Sequence, residues 1–370
     1  MPQGVEAVPE SGLWKDYLNK NTLGLLAAEI KAAHQKFDGD GFLKAVLAND
    51  FTALELKERI ARVAQVLKEF LPANYAATTK IFVKAAPRLR TFLNLCLMSY
   101  IEQFGLDDFD TSVDAMEALT EYSSAEFAIR PFMNRYTKRM LPVLHRWAAS
   151  PNEHVRRLAA EGSRPRGVWT EHIDAFRKDP TPVVKLLEGL KTDPSLYVRK
   201  AVANNLNDIS RDHPDVVIKV AGKWKKDGDK HTDWIVRHAC RSLIKLGDPR
   251  VFPLLGFTMS PKVDLIEFRM KPKKAEIGAK VELNGEIRSA AKTAQKLAID
   301  YRLHYVTKRG GTTSRVFKLS EKKLPAGGSL PIRTQHSFRN TSTRTHYAGK
   351  HKLELIVNGV VVHSFEFNLS

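Results

Sequence analysis

The chain has only two cysteines in 370 residues, Cys96 and Cys240, and they lie far apart within apolar helical patterns. Two isolated cysteines cannot form the disulfide framework of a small secreted protein or the ligand set of a structural zinc site. We therefore interpret both as buried thiols.

Long apolar runs are also missing. No stretch of about 18 apolar residues occurs, so we expect no segment that spans a membrane. The first thirty residues mix acids such as Asp16 and Glu29 with their apolar residues. That mixture argues against the apolar core of a signal peptide, and we expect a cytoplasmic protein.

Several signatures of cofactor and metal chemistry are absent as well. The sequence has no glycine loop of the Walker or dinucleotide type and no Gly-x-Ser-x-Gly elbow. The 12 histidines show no metal-ligand spacing. The segment Asp38-Gly39-Asp40-Gly41 resembles the start of an EF-hand, but Phe42 and Asn49 stand where ligands are needed. We expect no metal and no cofactor.

Acids are scarce relative to bases. The chain has 59 Lys and Arg against 41 Asp and Glu, a formal net charge of +18. Such an excess attracts nucleic acid or an anionic membrane surface. The alternative is a soluble protein that is merely basic, so the position of the charges has to decide.

A short pattern repeats three times along the chain. Val-Arg recurs at residues 155, 198 and 236, in steps of 43 and 38 residues, and each time it opens a helical stretch of small residues. This period is typical of HEAT and armadillo solenoids, in which helix pairs stack into a curved slab. The arginine after each valine suggests cations on the curved face.

Hydrophobic spacing divides the chain into two domains. From about residue 12 to 250 the spacing is helical, and the segments 171–180 and 181–190 are predicted to be partner helices between the repeats. Near residue 260 the pattern changes to alternation. We predict a mainly α protein with a HEAT-like α-solenoid over 1–258 and an immunoglobulin-like β-sandwich over 259–370.

The sandwich prediction depends on short alternating segments and turn residues. The segments begin near Val263, Lys280, Leu297, Ser329, Lys350 and Val360. Asn358-Gly359 is a strong hairpin signal, and Gly310-Gly311 and Gly327-Gly328 indicate two more turns. Six or seven short strands in about 110 residues are typical of an immunoglobulin-like sandwich.

The positive charge is concentrated in the second domain. Residues 262–370 contain 21 Lys and Arg against 9 Asp and Glu, a net of +12. Basic residues on both domains suggest a clamp around a duplex, while two separately solvated surfaces are the alternative. The residues that we expect to contact the polyanion are Arg156, Arg157, Arg164, Arg166, Arg199, Arg237, Lys308, Arg309, Arg339 and Arg344.

One segment has unusual chemistry for a repeat helix. Glu161-Gly-Ser-Arg-Pro-Arg-Gly-Val-Trp169 follows the first Val-Arg helix, with two arginines around a proline and between two glycines. Such a loop allows the backbone and the guanidinium groups to approach a phosphate closely. We place Trp169 at the start of the next helix. Asp208 follows in the next repeat, and we place Glu121 upstream in an acidic helix, Asp114 to Glu126.

This segment, with the repeats around it, resembles the HEAT-like-repeat DNA alkylation-repair glycosylases, the AlkC and AlkD group. The resemblance covers about residues 20–255. It is closest to the AlkC branch, some members of which carry an immunoglobulin-like domain. Glu161 precedes Trp169 by eight residues, whereas AlkD-like proteins have an Asp close to the Trp. This departure also favours the AlkC branch.

The resemblance implies excision of cationic alkylated bases, chiefly 3-methyladenine, from duplex DNA without a base-binding pocket. It assigns the catalytic site to Glu161, Asp208 and Trp169, and to Glu121 by its upstream position alone. It also implies a monomer that is associated with the nucleoid.

The chemistry of that reaction is consistent with these residue types. An N-alkylated purine is already cationic and leaves as a neutral base, so the difficulty lies in the positive charge that develops on the sugar. Carboxylates stabilise that charge and orient water, and an aromatic face adds cation–π attraction. We expect a monofunctional hydrolase, because nothing suggests a Schiff-base lysine.

Simpler interpretations remain open for each residue. Glu161 could pair with Arg157, Asp208 could cap a helix, and Trp169 could pack between repeats. For the whole protein, the alternatives are a non-catalytic HEAT scaffold that binds nucleic acid and a solenoid that binds proteins.

Overall fold

The structure is a computed structural model that describes residues 9, 11–89 and 91–370. Residues 1–8 and 10 belong to the segment in which we expect no signal peptide, and they lie outside the described residues. The chain forms two compact units: Met1–His213 with Asp229–Ile235, and Pro214–Gly228 with Val236–Ser370. The last helix ends at Leu254 and the first strand begins at Val263. The domain boundary at 258/259 remains a prediction.

The N-terminal part is helical, as predicted. Within the described residues the α-helices are α1 (Lys20–Ala33), α2 (Gly39–Leu47), α3 (Leu56–Phe70), α4 (Tyr75–Ala85), α5 (Thr91–Phe104), α6 (Phe109–Leu119), α7 (Ile129–Arg135), α8 (Thr137–Ala148), α9 (Glu153–Gly162), α10 (Asp174–Lys178), α11 (Thr181–Glu188), α12 (Leu196–Ile209), α13 (Pro214–Lys226), α14 (Lys230–Ala239), α15 (Arg241–Leu246) and α16 (Val251–Leu254). Short 3₁₀ helices lie at Trp14–Tyr17, Phe51–Ala53 and Ala86–Arg88.

The repeat helices begin at capping residues. The Asn152 side chain accepts a hydrogen bond from the backbone N–H of His154 at 2.8 Å and caps α9. Ser195 accepts one from Tyr197 at 3.2 Å and caps α12. Each cap satisfies a backbone donor that has no partner within the helix.

The helices α9 and α12 carry the first two Val-Arg pairs and pack against each other. Val155 and Val198 are buried at this packing, and Val236 is buried in α14. The recurring valine therefore marks the core-facing side of successive repeat helices, and the HEAT-like architecture is confirmed.

The connection between α9 and α12 differs from the prediction. The predicted helix over 171–180 is only the five-residue α10. Trp169 lies in the turn before it, and our placement at a helix start is wrong. Its backbone φ of +59° is in the left-handed region, which a right-handed helix cannot accommodate.

The C-terminal part is an antiparallel sandwich of seven strands within the described residues: β1 (Val263–Lys271), β2 (Lys280–Ser289), β3 (Gln295–Val306), β4 (Thr312–Leu324), β5 (Ser329–Ser337), β6 (Gly349–Val357) and β7 (Val360–Leu369). One sheet has the order β1-β2-β5 and the other the order β4-β3-β6-β7. The sandwich is confirmed, and β4 is the strand that the alternating segments did not include.

Alternation along the strands builds the core of the sandwich. In β3, Leu297, Ile299, Tyr301, Leu303 and Tyr305 all point inward and are buried. The β6–β7 hairpin turns at Asn358-Gly359, as predicted. Both residues have positive φ, +47° and +82°, which is the geometry of a type I′ turn.

None of the described helices combines the length and the hydropathy that crossing a bilayer requires.

Candidate active site and nucleic-acid interface

The arginines of the first two repeats hold the turns that precede their own helices. Arg156 donates from Nη1 to the carbonyl oxygens six and five residues before it, at 3.0 and 2.9 Å. Arg199 does the same, at 2.6 and 2.9 Å. Arg156 also forms a bidentate pair with the Asp193 carboxylate, at 2.7 and 3.1 Å. Both arginines were predicted to contact DNA, but the donors named here are directed to protein oxygens.

Two predicted carboxylates meet on one arginine. Arg164, which is 7% exposed, donates from Nε to Asp208 Oδ2 at 2.7 Å and from Nη1 to Glu161 Oε1. Glu161 lies on α9 and Asp208 on α12, so the packing of these helices assembles the group. The buried Asn205 side chain reinforces it by donating to the carbonyl oxygen of Ala160 at 2.7 Å.

The two carboxylates strongly stabilise the charged form of Arg164. Burial alone would lower the pKa of Arg164, but the hydrogen bonds and charges of Asp208 and Glu161 outweigh burial and raise that pKa above its ordinary value. Arg164 therefore stays cationic and holds both carboxylates in a fixed orientation.

A third carboxylate joins the group, and the sequence analysis did not identify it. Glu126 accepts from Arg157 Nη2 at 2.6 Å, and the same nitrogen lies 3.7 Å from Glu161 Oε2. Burial would lower the pKa of Arg157, but the charges of Glu126 and Glu161 reverse that effect and raise it. We call Glu126, Arg157, Glu161, Arg164 and Asp208 the carboxylate cluster.

The structure does not bring Glu121 to this cluster. The prediction of a helix over 114–126 is wrong beyond Leu119, because α6 ends there and Glu121 lies in the exposed turn that follows. Its carboxylate accepts a hydrogen bond from the Asn152 side chain at 3.0 Å. Glu121 and Glu126 belong to the same acidic stretch, and no helical spacing links either of them to Arg157. The contact is tertiary, so no sequence signal could have distinguished the two acids.

Trp169 lies on the loop 163–172, which follows α9 and contains Arg164 of the carboxylate cluster. Its side chain is 71% exposed, and its backbone carbonyl accepts a hydrogen bond from Lys57 Nζ. The Lys57 ammonium also lies 5.3 Å from the centre of the Phe127 ring. The indole is thus presented to solvent on a loop whose backbone is tied to α3.

The two remaining predicted DNA-binding cations of the helical region have acidic partners. Arg166 forms a bidentate pair with Asp212 at 2.9 and 2.6 Å. Arg237 pairs with Glu321. Both arginines were predicted to bind DNA, and that role stays a prediction.

The predicted cations of the sandwich lie together at one end of it. Lys308 and Arg309 are exposed in the β3–β4 turn, and Arg339 is exposed after β5. Arg344 lies over the Tyr305 ring, 4.2 Å from its centre. The loop between β1 and β2 reaches the same end, where the backbone N–H of Gly278 donates to the carbonyl oxygen of Phe338. We call this surface the basic end.

A cavity of about 980 Å³ lies beside the Trp169 loop. Trp14, Phe92, Phe127 and Trp169 supply its aromatic lining, with Lys57 and Glu102 among its charged groups. Of the carboxylate cluster, no member belongs to the described lining. The described residues also contain no group of three or more His, Cys, Asp or Glu side chains arranged to hold a metal ion.

Comparisons with known proteins agree with this fold. Residues 96–243 match the family model described as DNA alkylation repair enzyme. Residues 264–370 match the model described as the C-terminal Ig-like domain of the uncharacterised protein YhaZ. The YhaZ protein of Bacillus subtilis (strain 168) is 38% identical over 355 residues, which are 96% of this chain and 99% of that protein.

A solved structure matches nearly the whole chain. It is the Pseudomonas fluorescens alkylpurine DNA glycosylase AlkC, bound to DNA containing an abasic site analogue. The sequence identity is 39% and the TM-score is 0.92, and the match covers 97% of this chain and 99% of that one.

The matches over the helical repeats and the appended sandwich define a DNA alkylation-repair protein with an Ig-like domain. The chain belongs to the family that contains AlkC and YhaZ. The resemblance based on the Glu161–Trp169 segment is therefore confirmed.

Proposed function

We propose that the protein is a DNA glycosylase that hydrolyses the N-glycosidic bond of cationic alkylated purines, 3-methyladenine above all, in duplex DNA. The observation that carries this proposal is the pair of carboxylates Glu161 and Asp208 held on Arg164, in a chain that matches AlkC along nearly its whole length. The proposed partner is duplex DNA with alkylated bases, bound by a monomer.

The cluster suits the difficult step of the reaction. As the glycosidic bond stretches, the neutral base departs and positive charge develops on the deoxyribose. Carboxylates that are already oriented stabilise this charge without reorganising, and one of them can orient the attacking water. Glu161 and Asp208 are fixed by Arg164 in this way, and we add Glu126 to them through Arg157.

Trp169 and the loop arginines have complementary roles in this proposal. The exposed indole face can lie against the sugar and contribute cation–π attraction of about 0.5–2 kcal/mol. Arg166 and the basic end would bind phosphates and set the register of the duplex. A cationic purine leaves as a neutral base, so the proposed reaction needs no general acid.

The test is direct. The full chain is incubated with methylated duplex DNA, and the released bases are separated and identified. We expect 3-methyladenine and no cleaved strand, because the proposed enzyme hydrolyses the glycosidic bond without a lyase step. Tight binding to the same DNA with no released base would instead support the non-catalytic scaffold.

A further inference from the structure

Arg130 is a buried cation whose side-chain hydrogen bonds all go to backbone carbonyls. It lies on α7 and is 1% exposed. Its Nη1 donates to the carbonyl oxygens of Gly162 (3.2 Å) and Arg164 (2.7 Å), and its Nε and Nη2 donate to that of Glu171 (3.0 and 2.6 Å). One guanidinium therefore binds both ends of the loop 163–172.

The first part of the loop is also held by the pairs of Arg164 with Glu161 and Asp208 and of Arg166 with Asp212, but the part around Trp169 has fewer contacts. Val168 and Trp169 are 64% and 71% exposed, so neither anchors the loop by burial. The cavity of about 980 Å³ lies beside the loop, where a well-packed protein would have side chains. Besides Arg130, the holding contacts include the Lys57 bond to the Trp169 carbonyl and a backbone bond from Ile173 to Pro165 at 3.1 Å.

The three carbonyls bound by Arg130 lie before and after Trp169 in the chain. Gly162 and Arg164 flank the point where the loop leaves α9, so they fix the origin of the Arg164 side chain that holds Glu161 and Asp208. Glu171 fixes the far end of the loop, two residues after Trp169. Gly167 leaves room for this arrangement, because a Cβ there would clash with Thr170 Cγ2 and lie 3.3 Å from Arg130 Nη2.

We infer that Arg130 is a positioning residue that sets the relative placement of the carboxylate cluster and the Trp169 indole. This inference rests on the proposed function. In this inference Arg130 acts through the backbone of the loop, and its side chain also borders the cavity. Its loss displaces both Arg164 and Trp169, and a displacement of about 1 Å at a reacting centre costs roughly 100-fold in rate.

The chain offers a matched control in Arg59. Arg59 is also buried, at 3% exposure, and donates to the backbone carbonyls of Leu54 (3.0 Å), Lys15 (2.7 Å) and Thr52 (2.6 Å). It holds an N-terminal turn, where it also lies 3.3 Å from Asp16 Oδ1, and none of its described contacts reaches the loop 163–172. Arg59→Met therefore reports the general cost of removing a buried guanidinium from this unit.

The experiment compares Arg130→Met, Arg130→Lys and Arg59→Met in the full chain. Single-turnover release of 3-methyladenine measures the chemical step, and affinity for duplex DNA with an abasic site analogue measures binding. We expect the rate to fall about 100-fold in Arg130→Met, with affinity changed less than about threefold. Arg130→Lys should recover part of the rate, because an ammonium can bond some of the carbonyls. Arg59→Met should keep the wild-type rate.

Acrylamide quenching of Trp169 fluorescence gives a readout that does not depend on activity. The Trp169 contribution is obtained by difference from Trp169→Phe versions of each protein. It should change in Arg130→Met and not in Arg59→Met. Equal rate losses in these two variants, or unchanged quenching in Arg130→Met, would overturn the inference.

If Arg130→Met does not fold, Arg130→Lys decides the matter, and a wild-type rate in that variant overturns the inference. Failure of the wild-type protein to release any base would instead refute the proposed function. The quenching comparison would still test the placement of the loop.

Discussion

At the residue scale, Glu161 and Asp208 differ from surface acids because one buried arginine holds both of them. Removing either negative charge leaves Arg164 with one partner and weakens stabilisation of the cationic sugar. It does not add repulsion toward phosphate. The two carboxylates should therefore matter for the chemical step and little for binding.

We predict that Glu161→Gln and Asp208→Asn each lower the rate of base excision by about 10²–10³-fold. Their affinity for duplex DNA should be unchanged or slightly higher, because less negative charge faces the phosphates. Single-turnover excision and equilibrium binding to the same duplex measure the two effects. Loss of binding in proportion to activity in both variants would contradict this assignment.

The structure also distinguishes two acids that the sequence could not. We predict that Glu126→Gln reduces excision by about tenfold or more, because Glu126 orients Arg157 beside Glu161. Glu121→Gln serves as the matched control, since Glu121 lies in an exposed turn and contacts Asn152. Excision rates measured side by side decide between them, and a larger loss in Glu121→Gln would exclude our proposed third carboxylate.

The sequence separation between interacting residues determines how much of the site could be predicted. Glu161 and Arg164 are three residues apart, and their segment could be identified as a candidate from sequence alone. Arg164 and Asp208 are 44 residues apart in the sequence. Arg157, the partner of Glu126, also bonds Ser124, which is 33 residues away. Only helix packing brings such groups together, so the family resemblance located Asp208 and nothing located Glu126.

At the element scale, β3 carries an acid in an unfavourable place. Asp300 faces away from the sandwich core but is only 7% exposed. Burial raises its pKa to about 6, and the charges of Lys318 and Lys245 offset that effect only in part. Because the folded pKa lies above the unfolded value of 3.8, Asp300 favours folding only at low pH. That contribution is lost as the pH rises through about 6.

We predict that Asp300→Asn raises the free energy of unfolding of the sandwich at pH 7.5 by about 2 kcal/mol. The gain should disappear near pH 4, where the wild-type carboxyl is protonated in the folded state. Urea unfolding of the full chain at both pH values measures this difference. Asp264→Asn, an exposed acid on β1, is the control, and an equal gain there would mean that net charge and not burial is responsible.

Some elements could not be predicted from hydrophobic patterns. The strands that were predicted alternate apolar and polar residues, because one face of each lies on the core. β4 is an edge strand rich in charge and pairs only with β3 in its sheet, so its pattern is weak. The turn that holds Trp169 depends on hydrogen bonds from Arg130 and Lys57, which no local pattern indicates.

At the scale of the whole molecule, the position of the net charge matters more than its size. Arg156, Arg164, Arg166 and Arg237 pair with carboxylates within their own units. Three of the four sandwich cations that we predicted to bind DNA are exposed at the basic end. They are Lys308, Arg309 and Arg339, and they come from two separate loops.

We predict that the combined change of Lys308, Arg309 and Arg339 to Gln weakens DNA binding and flattens its salt dependence. If all three contact phosphates, the log–log slope should fall by roughly 2 to 3. Binding titrations of duplex DNA over a range of salt concentrations measure the slope. Changing the exposed Lys262, Lys292 and Lys323 to Gln removes the same charge from the opposite end of the sandwich. An equal effect there would show that only net charge matters.

The arginines that hold the repeat turns affect how much folded protein a cell contains. Arg156 fixes a turn through two carbonyls and a bidentate carboxylate, a geometry that a lysine cannot reproduce. A cell that inherits Arg156→Lys would therefore contain fewer folded copies of the protein. Its sensitivity to alkylating agents would grow with temperature and be relieved by overproducing the variant, as with a shortage of enzyme.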